Sequence, residues 1–447
     1  MLKTVIRKKI GIFGYGLEGK GLVSYLLKHG ARNITVFDER IIKAEERIEG
    51  LQYIYSDFEK NDYDIDLAFR SPGIKLDRLN KILKGKVEIS SATNLFFELA
   101  KGRKIIVTGT KGKSTTVAII ERVLKLSGLS VYTGGNMGKS PLDFIDELDK
   151  SCYTIVELSS FQLQDFKGRA DYYVFLPISA DHLDYHRDFE EYLQAKKKAV
   201  SSSNSQSVII LQKDELSGSL TSGVQGQFLY YSLSRDLIEK GCFQDGPDCK
   251  CQDENEKLEV RNILGLSQDK KIPLVNLVAS SALFFKMKLK VDLKKALEDF
   301  DKPEFRVEFI GNFSGVDIYN DSASTNPIST IEALHLMNRP LALIVGGSDK
   351  GLDYCPLVSE IAGSDLLKRV YLFGQTGKSI NKLLQDRGSQ GKALYRETLE
   401  DILKDLSESP KDFGNLLFSP ASASFDQFRN YQHRGQVFEE LVKKYFK

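Results

Sequence analysis

The sequence predicts an α/β protein whose sheets are mainly parallel and carry helices on both faces. Short β-rich apolar runs alternate along the 447 residues with longer stretches of helical periodicity, as strand–helix–strand units do. At ~100–200 residues per domain, this length allows two to four domains. Polar stretches near Lys101 and Asp301 divide the chain into three blocks, so we expect domains over residues 1–102, 103–302 and 303–447.

The predicted strands are short apolar runs, and longer patterns of helical period lie between them. The strands are Lys9–Phe13, Asn33–Phe37, Asp66–Phe69, Lys104–Thr108, Thr154–Leu158, Tyr172–Leu176, Val208–Leu211, Val316–Tyr319, Leu341–Val345, Val370–Phe373 and Leu416–Phe418. The helices are Gly19–His29, Ser114–Ser127, Leu277–Met287, Leu293–Phe300, Ser329–Met337 and Val437–Tyr445. The polar, turn-rich stretch 235–259 is expected to form a hairpin or a surface insertion.

Composition limits the functional classes without naming a chemistry. The chain carries 63 Lys and Arg against 61 Asp and Glu, which gives no reason to expect a nucleic-acid binder. No apolar run approaches the ~20 residues of a membrane-spanning helix, and the N-terminus lacks the apolar segment of a signal peptide. Five cysteines, an odd number, indicate free thiols in a reducing cytoplasm. Cys242, Cys249 and Cys251 lack a paired zinc-ligand spacing, so we expect solvent-facing thiols.

A compact glycine-rich phosphate loop joins a predicted strand to a predicted helix. The loop is Gly109-Thr110-Lys111-Gly112-Lys113-Ser114-Thr115. Glycines let backbone N–H groups approach phosphate oxygens, and the helix N-terminus adds a favourable dipole. We expect Lys113 to reach the β- and γ-phosphates and the Ser114 hydroxyl to bind Mg²⁺. A strand-to-helix turn without a ligand is the alternative.

A second glycine turn, Gly14-x-Gly16-x-x-Gly19, follows the first predicted strand, and Asp38 ends the next strand. Taken alone, this pattern predicts a dinucleotide site with Asp38 on a ribose, and hence an NAD-dependent dehydrogenase. The diphosphate of a nucleotide-sugar would use the same helix end equally well. A tight turn without a ligand also remains open.

Three further groups follow predicted strands in the middle block. Glu157 ends a strand, where a carboxylate either binds Mg²⁺ or is a buried structural acid. His182 and His186 are four residues apart, which would suit zinc, but no third ligand is evident. His182 as a ligand of a hard cation is the better-supported interpretation. The lysines at 196–198 predict, by composition alone, a solvated helix face.

Eight stretches in order along the chain resemble the Mur ligases of peptidoglycan synthesis. They are TGTKGKSTT at 108–116, GGNMG at 134–138, VELSSFQL at 156–163, ISADHLDYH at 178–186, YLQAK at 192–196, NDSASTNP at 320–327, GGSDK at 346–350 and SPASASFDQFRNYQHRG at 419–435. The last stretch is similar to the branch that joins D-glutamate to UDP-N-acetylmuramoyl-L-alanine.

The resemblance implies a fold, a reaction and its cofactors. The fold would comprise a Rossmann-like UDP-binding domain, a central P-loop ATPase domain and a Rossmann-like C-terminal domain. The substrate carboxylate would attack the γ-phosphate of ATP to give an acyl phosphate, from which the amine of D-glutamate displaces phosphate. Two Mg²⁺ ions would neutralise the approaching anions. The expected partners are small-molecule substrates, without nucleic acid or membrane insertion, and the expected state is a monomer.

The resemblance also assigns roles to residues by matching motifs. Catalytic roles are implied for Lys113, Glu157, His182 and Lys196, and metal binding is implied for Ser114, Glu157, His182 and Lys196, the last if carbamylated. ATP contacts are implied for Gly109 to Thr115, Asn276, Arg306 and Asp321. The UDP-linked substrate would meet Gly14, Leu17, Glu18, Asp38, Arg40, Ser71, Pro72, Gly73, Asn136 and Ser159. The incoming amino acid would meet Thr325, Lys350, Ser424 and Tyr431.

Departures from the family pattern keep other functions open. Ala323 stands where the family has a lysine near the acceptor site, which motivates a different acceptor such as L-glutamate. Ile272 and Pro273 replace a His-Asn pair and leave Asn276 alone for adenine. The dehydrogenase interpretation predicts tight NAD(H) binding. An inactive relative or a binding module is disfavoured because the phosphate and metal residues are intact.

Overall fold

Three mainly parallel sheets flanked by helices form the described part of the chain, which confirms the predicted α/β fold class. The computed structural model describes residues 2–55, 63–136, 139–182, 185–300, 302–349, 351–388, 391, 393–408 and 412–446. One compact unit comprises residues up to 179 with 187–261 and 278–297, and a second comprises 180–186, 262–277 and 298 onward. The domain boundaries at 102 and 302 stay predictions.

The first sheet is wholly parallel and has the strand order β3-β2-β1-β4-β5. The order reverses direction between β1 and β4, so the loops after these two strands border a crevice at the carboxyl edge of the sheet. The elements are α1 Leu2–Val5, β1 Ile10–Phe13, α2 Leu17–Lys28, β2 Ile34–Asp38, β3 Gln52–Tyr55, β4 Leu67–Arg70, α3 Leu76–Ile82, β5 Glu88–Ser90 and α4 Ala92–Leu99.

The second sheet has nine strands in the order β14-β13-β12-β11-β10-β9-β6-β8-β7. Its strands are β6 Arg103–Thr108, β7 Val131–Gly135, β8 Tyr153–Glu157, β9 Tyr172–Phe175, β10 Val208–Gln212, β11 Gln227–Ser232, β12 Gly241–Asp245, β13 Asp248–Gln252 and β14 Lys257–Val260. In chain order, the helices after β6 are α5 Lys113–Leu126, α6 Ser160–Leu163, α7 Phe189–Lys197, α8 Ser217–Thr221, α9 Ile263–Lys270, α10 Leu274–Lys286 and α11 Leu293–Ala296. Strands β12 to β14 are antiparallel, so the predicted hairpin is present and extends the main sheet.

The third sheet has the order β15-β16-β20-β17-β18-β19, with β15 alone antiparallel to its neighbour among the described strands. Its strands are β15 Glu308–Phe313, β16 Val316–Asn320, β17 Leu341–Gly346, β18 Leu367–Phe373, β19 Ala393–Tyr395 and β20 Asn415–Phe418. Its helices are α12 Pro327–His335, α13 Cys355–Gly363, α14 Gly374–Asp386, α15 Leu399–Glu408 and α16 Tyr431–Tyr445. The loops after β16, β17 and β20 meet at one edge because these strands are neighbours and parallel.

Apolar burial holds each unit together. In the first unit, one continuous core runs from the first sheet to the second, and rings such as Phe96 and Phe144 pack with centroids 6.1 Å apart. In the second unit, separate cores cover the two faces of the third sheet. Among the described residues, no helix combines the length and apolar character needed to cross a membrane.

The cysteine cluster differs from the sequence prediction. Cys242 and Cys251 are directly opposed on the antiparallel strands β12 and β13 and form a disulfide, and Cys249 is also buried. Burial raises the pKa of the Cys249 thiol to about 12, although Ser281 donates a hydrogen bond to it. The expectation of solvent-facing thiols is therefore wrong for all three cysteines, because the alternating pleat turns these side chains inward. The expectation of free thiols is wrong for Cys242 and Cys251 and holds for Cys249.

Candidate active site

The predicted phosphate loop joins β6 to α5 and has the backbone conformation that a phosphate cradle needs. Gly109 and Gly112 have φ angles of 146° and 75°, a region that side chains rarely adopt. A Cβ added at Gly109 would lie 2.6 Å from the Leu176 Cβ. Lys113 Nζ donates to the carbonyl oxygens of Gly109 at 3.1 Å and Thr110 at 2.8 Å. The lysine is therefore folded over the loop, at the N-terminus of a helix that has no side-chain cap.

A carboxylate and a hydroxyl lie side by side at the end of this loop. Ser114 Oγ, in the first turn of α5, donates a 2.7 Å hydrogen bond to Glu157 Oε2 at the end of β8. Asn136 Nδ2 donates to the other carboxylate oxygen at 3.0 Å. Glu157 is only 1% exposed. Two oxygen donors of the type that Mg²⁺ prefers are thus adjacent, so these residues fit the metal implied by the sequence.

Helix α7 brings Lys196 to the same loop. The helix begins after Asp188, which accepts a hydrogen bond from the backbone of Glu191. Lys196 is 1% exposed, and its Nζ lies 3.5 Å from Thr108 Oγ1 and 4.9 Å from the centroid of the Tyr192 ring. The Tyr192 hydroxyl shares a 2.8 Å hydrogen bond with Thr110. The solvated helix face inferred from composition is therefore wrong for Lys196, and the role that its motif implies stays a prediction.

His182 lies in a short segment that clusters with the second unit. Its φ is 55°, and its backbone N–H donates to Asp181 Oδ1 at 2.9 Å. Asp181 is buried, and its Oδ2 accepts a 3.1 Å hydrogen bond from Asn326 at the start of α12. Across the described part of the chain, no group of three or more His, Cys, Asp or Glu is arranged to hold a metal ion. A zinc site at His182 and His186 gains no support.

The N-terminal glycine turn follows β1, at the point where the strand order of the first sheet reverses. Gly14 has a φ of 91°, and a Cβ added at Gly19 would lie 2.2 Å from the Gly14 carbonyl oxygen. Ser71, after β4, donates a 2.7 Å hydrogen bond to that same oxygen. Two predicted UDP-binding segments therefore meet at the edge where open α/β sheets bind ligands.

Both carboxylate oxygens of Asp38 accept hydrogen bonds at this edge of the first sheet. They accept hydrogen bonds from the backbone N–H groups of Tyr15 at 2.7 Å and Arg40 at 2.8 Å. Burial alone would raise the pKa of Asp38, but these hydrogen bonds and the Arg40 guanidinium lower it below its usual value. The carboxylate thus stays ionised and orders the loop.

The loops of the third sheet bring most of the predicted acceptor residues to one edge. Thr325 follows β16, Ser424 follows β20, and Tyr431 begins α16. The buried Arg434 guanidinium donates to the Ser322 carbonyl at 2.8 Å and to the Ser422 and Ala423 carbonyls at 3.0 Å. Lys350 lies outside the described residues.

Two predicted ATP contacts border this edge. Asp321 is 3% exposed and accepts a 2.6 Å hydrogen bond from Ser419, and burial raises the pKa of its carboxyl to about 6. Arg306 partly offsets that rise through its charge. Asn276 is buried on α10.

Comparison with known proteins identifies the family. Residues 107–263 match the model of the Mur ligase middle domain. A UDP-N-acetylmuramoylalanine–D-glutamate ligase from Ruminiclostridium cellulolyticum is 31% identical over 461 residues, covering 98% of this chain and 97% of that protein. The chain belongs to the Mur ligase family.

Solved structures of Mur ligases share the fold. The MurF ligase of Thermotoga maritima in complex with ADP has a TM-score of 0.59 at 18% identity and covers 97% of this chain and 95% of its own. The MurC ligase of the same organism has a TM-score of 0.58 at 19% identity and covers 98% and 99%. At these identities the likeness establishes the fold alone.

Several polar residues of this Mur ligase lie near the predicted site, and the motif match assigns no role to them. They are Arg70, Gln162, Asp165, Tyr192 and Arg434, and each is nearly or fully buried. Charged and amide side chains are usually exposed, so residue type alone places Arg70, Gln162, Asp165 and Arg434 on the surface. Gln162, Tyr192 and Arg434 lie inside the family motifs, and Arg70 lies next to the predicted UDP loop. Position in the sequence was therefore the signal that could have found these four.

Proposed function

We propose that this chain is an ATP-dependent amide ligase that adds D-glutamate to UDP-N-acetylmuramoyl-L-alanine. The observation that carries the proposal is the Ser114–Glu157 pair at the mouth of the phosphate loop, 2.7 Å apart, in a chain whose full-length relatives bear the name of that ligase. ATP, the UDP-linked substrate and D-glutamate are the small molecules proposed to bind. We also propose a cytoplasmic monomer with domains over 1–102, 103–302 and 303–447.

The reaction needs the substrate carboxylate to become an electrophile. A carboxylate oxygen attacks the γ-phosphorus of ATP, the bond to the bridging oxygen breaks, and ADP leaves. The amine of D-glutamate then attacks the acyl carbon, inorganic phosphate leaves with the former carboxylate oxygen, and the amine loses a proton. Both steps bring negatively charged or electron-rich groups together, so preorganised cations and N–H donors lower the barrier.

The residues of the phosphate loop would bind and orient ATP. Backbone N–H groups of 109–115 and the α5 N-terminus would hold the β- and γ-phosphates, with Lys113 over them. Asn276, Arg306 and Asp321 are the further proposed ATP contacts. Two Mg²⁺ ions, held by Ser114 and Glu157 and by His182 and a carbamylated Lys196, would neutralise the phosphate oxygens.

Lys196 would enter this role after reaction with carbon dioxide. The uncharged amine attacks the carbon of CO₂, a proton is released, and the new carbamate presents two oxygens in place of an ammonium. An ammonium cannot coordinate a cation, whereas a carboxylate-like group can. The burial of Lys196 beside Thr108 supports the proposal, because water is kept from the Nζ position.

The two ends of the UDP-linked substrate would lie on the first unit. The glycine turn, Asp38, Arg40 and the loop 71–73 would hold the nucleotide, with Leu17, which is 54% exposed, beside it. Asn136 and Ser159 would face the reacting carboxylate.

D-Glutamate would meet Thr325, Lys350, Ser424 and Tyr431. L-Glutamate is a second candidate acceptor, because Ala323 removes one cation from the acceptor loop. A phosphate-release assay with ATP, UDP-N-acetylmuramoyl-L-alanine and a panel of amino acids separates the two. Release that depends on D-glutamate supports the proposal, and a preference for L-glutamate overturns the stereochemical assignment.

A further inference from the structure

Glu18 turns its carboxylate inward from the first turn of α2, beside the N-terminal glycine turn. Its Oε1 accepts a 2.5 Å hydrogen bond from the side-chain amide of Gln162. Its Oε2 is buried and has no hydrogen-bond partner within the described ranges. Burial raises the pKa of this carboxyl to about 7. The hydrogen bond from Gln162 to the Glu18 carboxyl joins α2, beside the first sheet, to α6, beside the second sheet.

The side-chain amide of Gln162 bonds Ser159 as well as Glu18. Its Oε1 accepts hydrogen bonds from the Ser159 backbone N–H at 2.8 Å and from the Ser159 hydroxyl at 3.0 Å. The backbone N–H of Gln162 donates to Ser159 Oγ at 3.3 Å. This capping box begins α6, directly after β8. Because a single planar amide serves both partners, moving its Nε2 away from Glu18 also moves its Oε1 relative to Ser159.

We propose that Glu18 is a positioning residue which, through Gln162, orients the Ser159 hydroxyl for the reacting carboxylate of the UDP-linked substrate. The inference rests on the role proposed above for Ser159. Glu18 belongs to the turn that would hold the nucleotide, and Ser159 lies two residues beyond Glu157. The relay links the two subsites that one substrate molecule must fill.

A buried ion pair fixes the backbone on either side of the Glu18–Gln162 hydrogen bond. The Arg70 and Asp165 side chains are 0% and 4% exposed and are in direct contact. Arg70 also donates to the carbonyls of Ile74 and Phe161, each at 2.8 Å. These bonds fix the backbone of α6 against the loop after β4. The side chain of Gln162 is then the part whose orientation Glu18 decides.

Packing alone does not account for a polar contact at this place. An apolar pair of similar volume would join α2 to the second sheet without the desolvation cost of a buried carboxyl and amide. A hydrogen bond differs from an apolar contact in fixing direction. What Glu18 adds is therefore the angle of the Gln162 amide.

The experiment compares Glu18→Ala, Glu18→Gln, Gln162→Leu and Ser159→Ala with the wild-type chain in the full ligase assay. The readouts are the KM for UDP-N-acetylmuramoyl-L-alanine, the KM for ATP and kcat. Glu45→Ala, a change at an exposed glutamate in the connection between β2 and β3, is the matched control. Gln162→Leu keeps the side-chain volume and removes the amide, so it tests the relay if Glu18→Ala fails to fold.

The proposal expects Glu18→Ala and Gln162→Leu each to raise the KM for the UDP-linked substrate about tenfold, with the KM for ATP unchanged. Glu18→Gln keeps the acceptor oxygen and stays near wild type. Adding Glu18→Ala to Ser159→Ala costs little more, since coupled residues are not additive.

Three results overturn the relay. Glu18→Ala and Gln162→Leu with wild-type kinetics beside an impaired Ser159→Ala show that Ser159 acts alone. Losses that multiply in the double variant show that Glu18 acts elsewhere. An unimpaired Ser159→Ala refutes the proposed role of Ser159, and the relay falls with it.

Discussion

The Ser114 hydroxyl donates a 2.7 Å hydrogen bond to the Glu157 carboxylate, joining the first turn of α5 to the end of β8. The two residues are far apart in sequence and adjacent because β6 and β8 are neighbouring parallel strands. The carboxyl ends of such strands share one edge of the sheet. A hydroxyl and a carboxylate are thereby presented together where a phosphate loop opens.

Lys113→Ala removes the ammonium that lies over the loop carbonyls. Loss of one preorganised charge at a developing anion costs on the order of 10²–10³ in kcat. We expect phosphate release to fall by that amount. Lys125→Ala, at the exposed end of the same helix, removes only a surface pair with Glu121 and should leave turnover intact. Comparable turnover in the two variants would refute the role of the loop lysine.

Lys196 is expected to need carbon dioxide. Activity of the wild-type enzyme should drop after exhaustive removal of bicarbonate and return when bicarbonate is added, because the carbamate forms reversibly. Lys196→Ala should be inactive under both conditions. Lys197→Ala, at the neighbouring and more exposed lysine, is the control and should respond as the wild type does. Activity of the wild type that ignores bicarbonate counts against carbamylation.

Asp321 makes stability depend on pH. Burial raises the pKa of its carboxyl from 3.8 to about 6, so the folded state holds a proton that the unfolded state has lost. The contribution of Asp321 to the free energy of unfolding is fully present below pH 3.8 and is lost as pH rises through about 6. The total loss is ~3 kcal/mol. Asp321→Asn cannot ionise and should lack this loss.

The measurement for Asp321 is denaturant unfolding of both proteins at pH 4 and pH 7 without nucleotide. Glu18 titrates in the same direction, but it is present in both proteins and cancels in the difference. The stability of Asp321→Asn relative to wild type should rise between the two pH values. A constant difference would show that the folded pKa is not raised.

Arg434→Lys tests the organisation of the acceptor edge. The guanidinium binds carbonyls of the loops after β16 and β20 at once, and a lysine cannot reproduce this forked geometry. We expect the KM for the amino acid to rise about tenfold while the KM for ATP changes little. Arg429→Lys, at an exposed position of the preceding loop, is the control. Equal effects on both KM values would point to general destabilisation.

The sequence predicts the framework well and the buried polar contacts poorly. The strands predicted around the site are present within one residue, such as Lys104–Thr108 against the observed Arg103–Thr108, because short, nearly continuous apolar runs between turns are a strong signal for buried strands. Short edge strands such as Gln52–Tyr55 are half-exposed and give little periodicity.

Candidate site residues are found from the sequence where backbone conformation or a motif demands a particular residue type, and their roles stay predictions. Glycine is required at position 109 by the positive φ angle and by the close approach of Leu176. Lys196 is singled out by its motif. The Arg70–Asp165 pair and the Glu18–Gln162 contact escaped prediction, because nothing in a linear sequence separates a buried charge from a solvated one. The inward turn of Cys249 escaped for the same reason: the side a strand presents depends on its partner.

The most direct test of the ligase mechanism follows an oxygen atom. UDP-N-acetylmuramoyl-L-alanine labelled with ¹⁸O in its alanyl carboxylate is incubated with the enzyme, ATP, Mg²⁺ and D-glutamate, and the released phosphate is analysed by mass spectrometry. Transfer through an acyl phosphate places one labelled oxygen in each phosphate released, in proportion to the amide formed. Amide formation with unlabelled phosphate, or no amide with D-glutamate, would contradict the account.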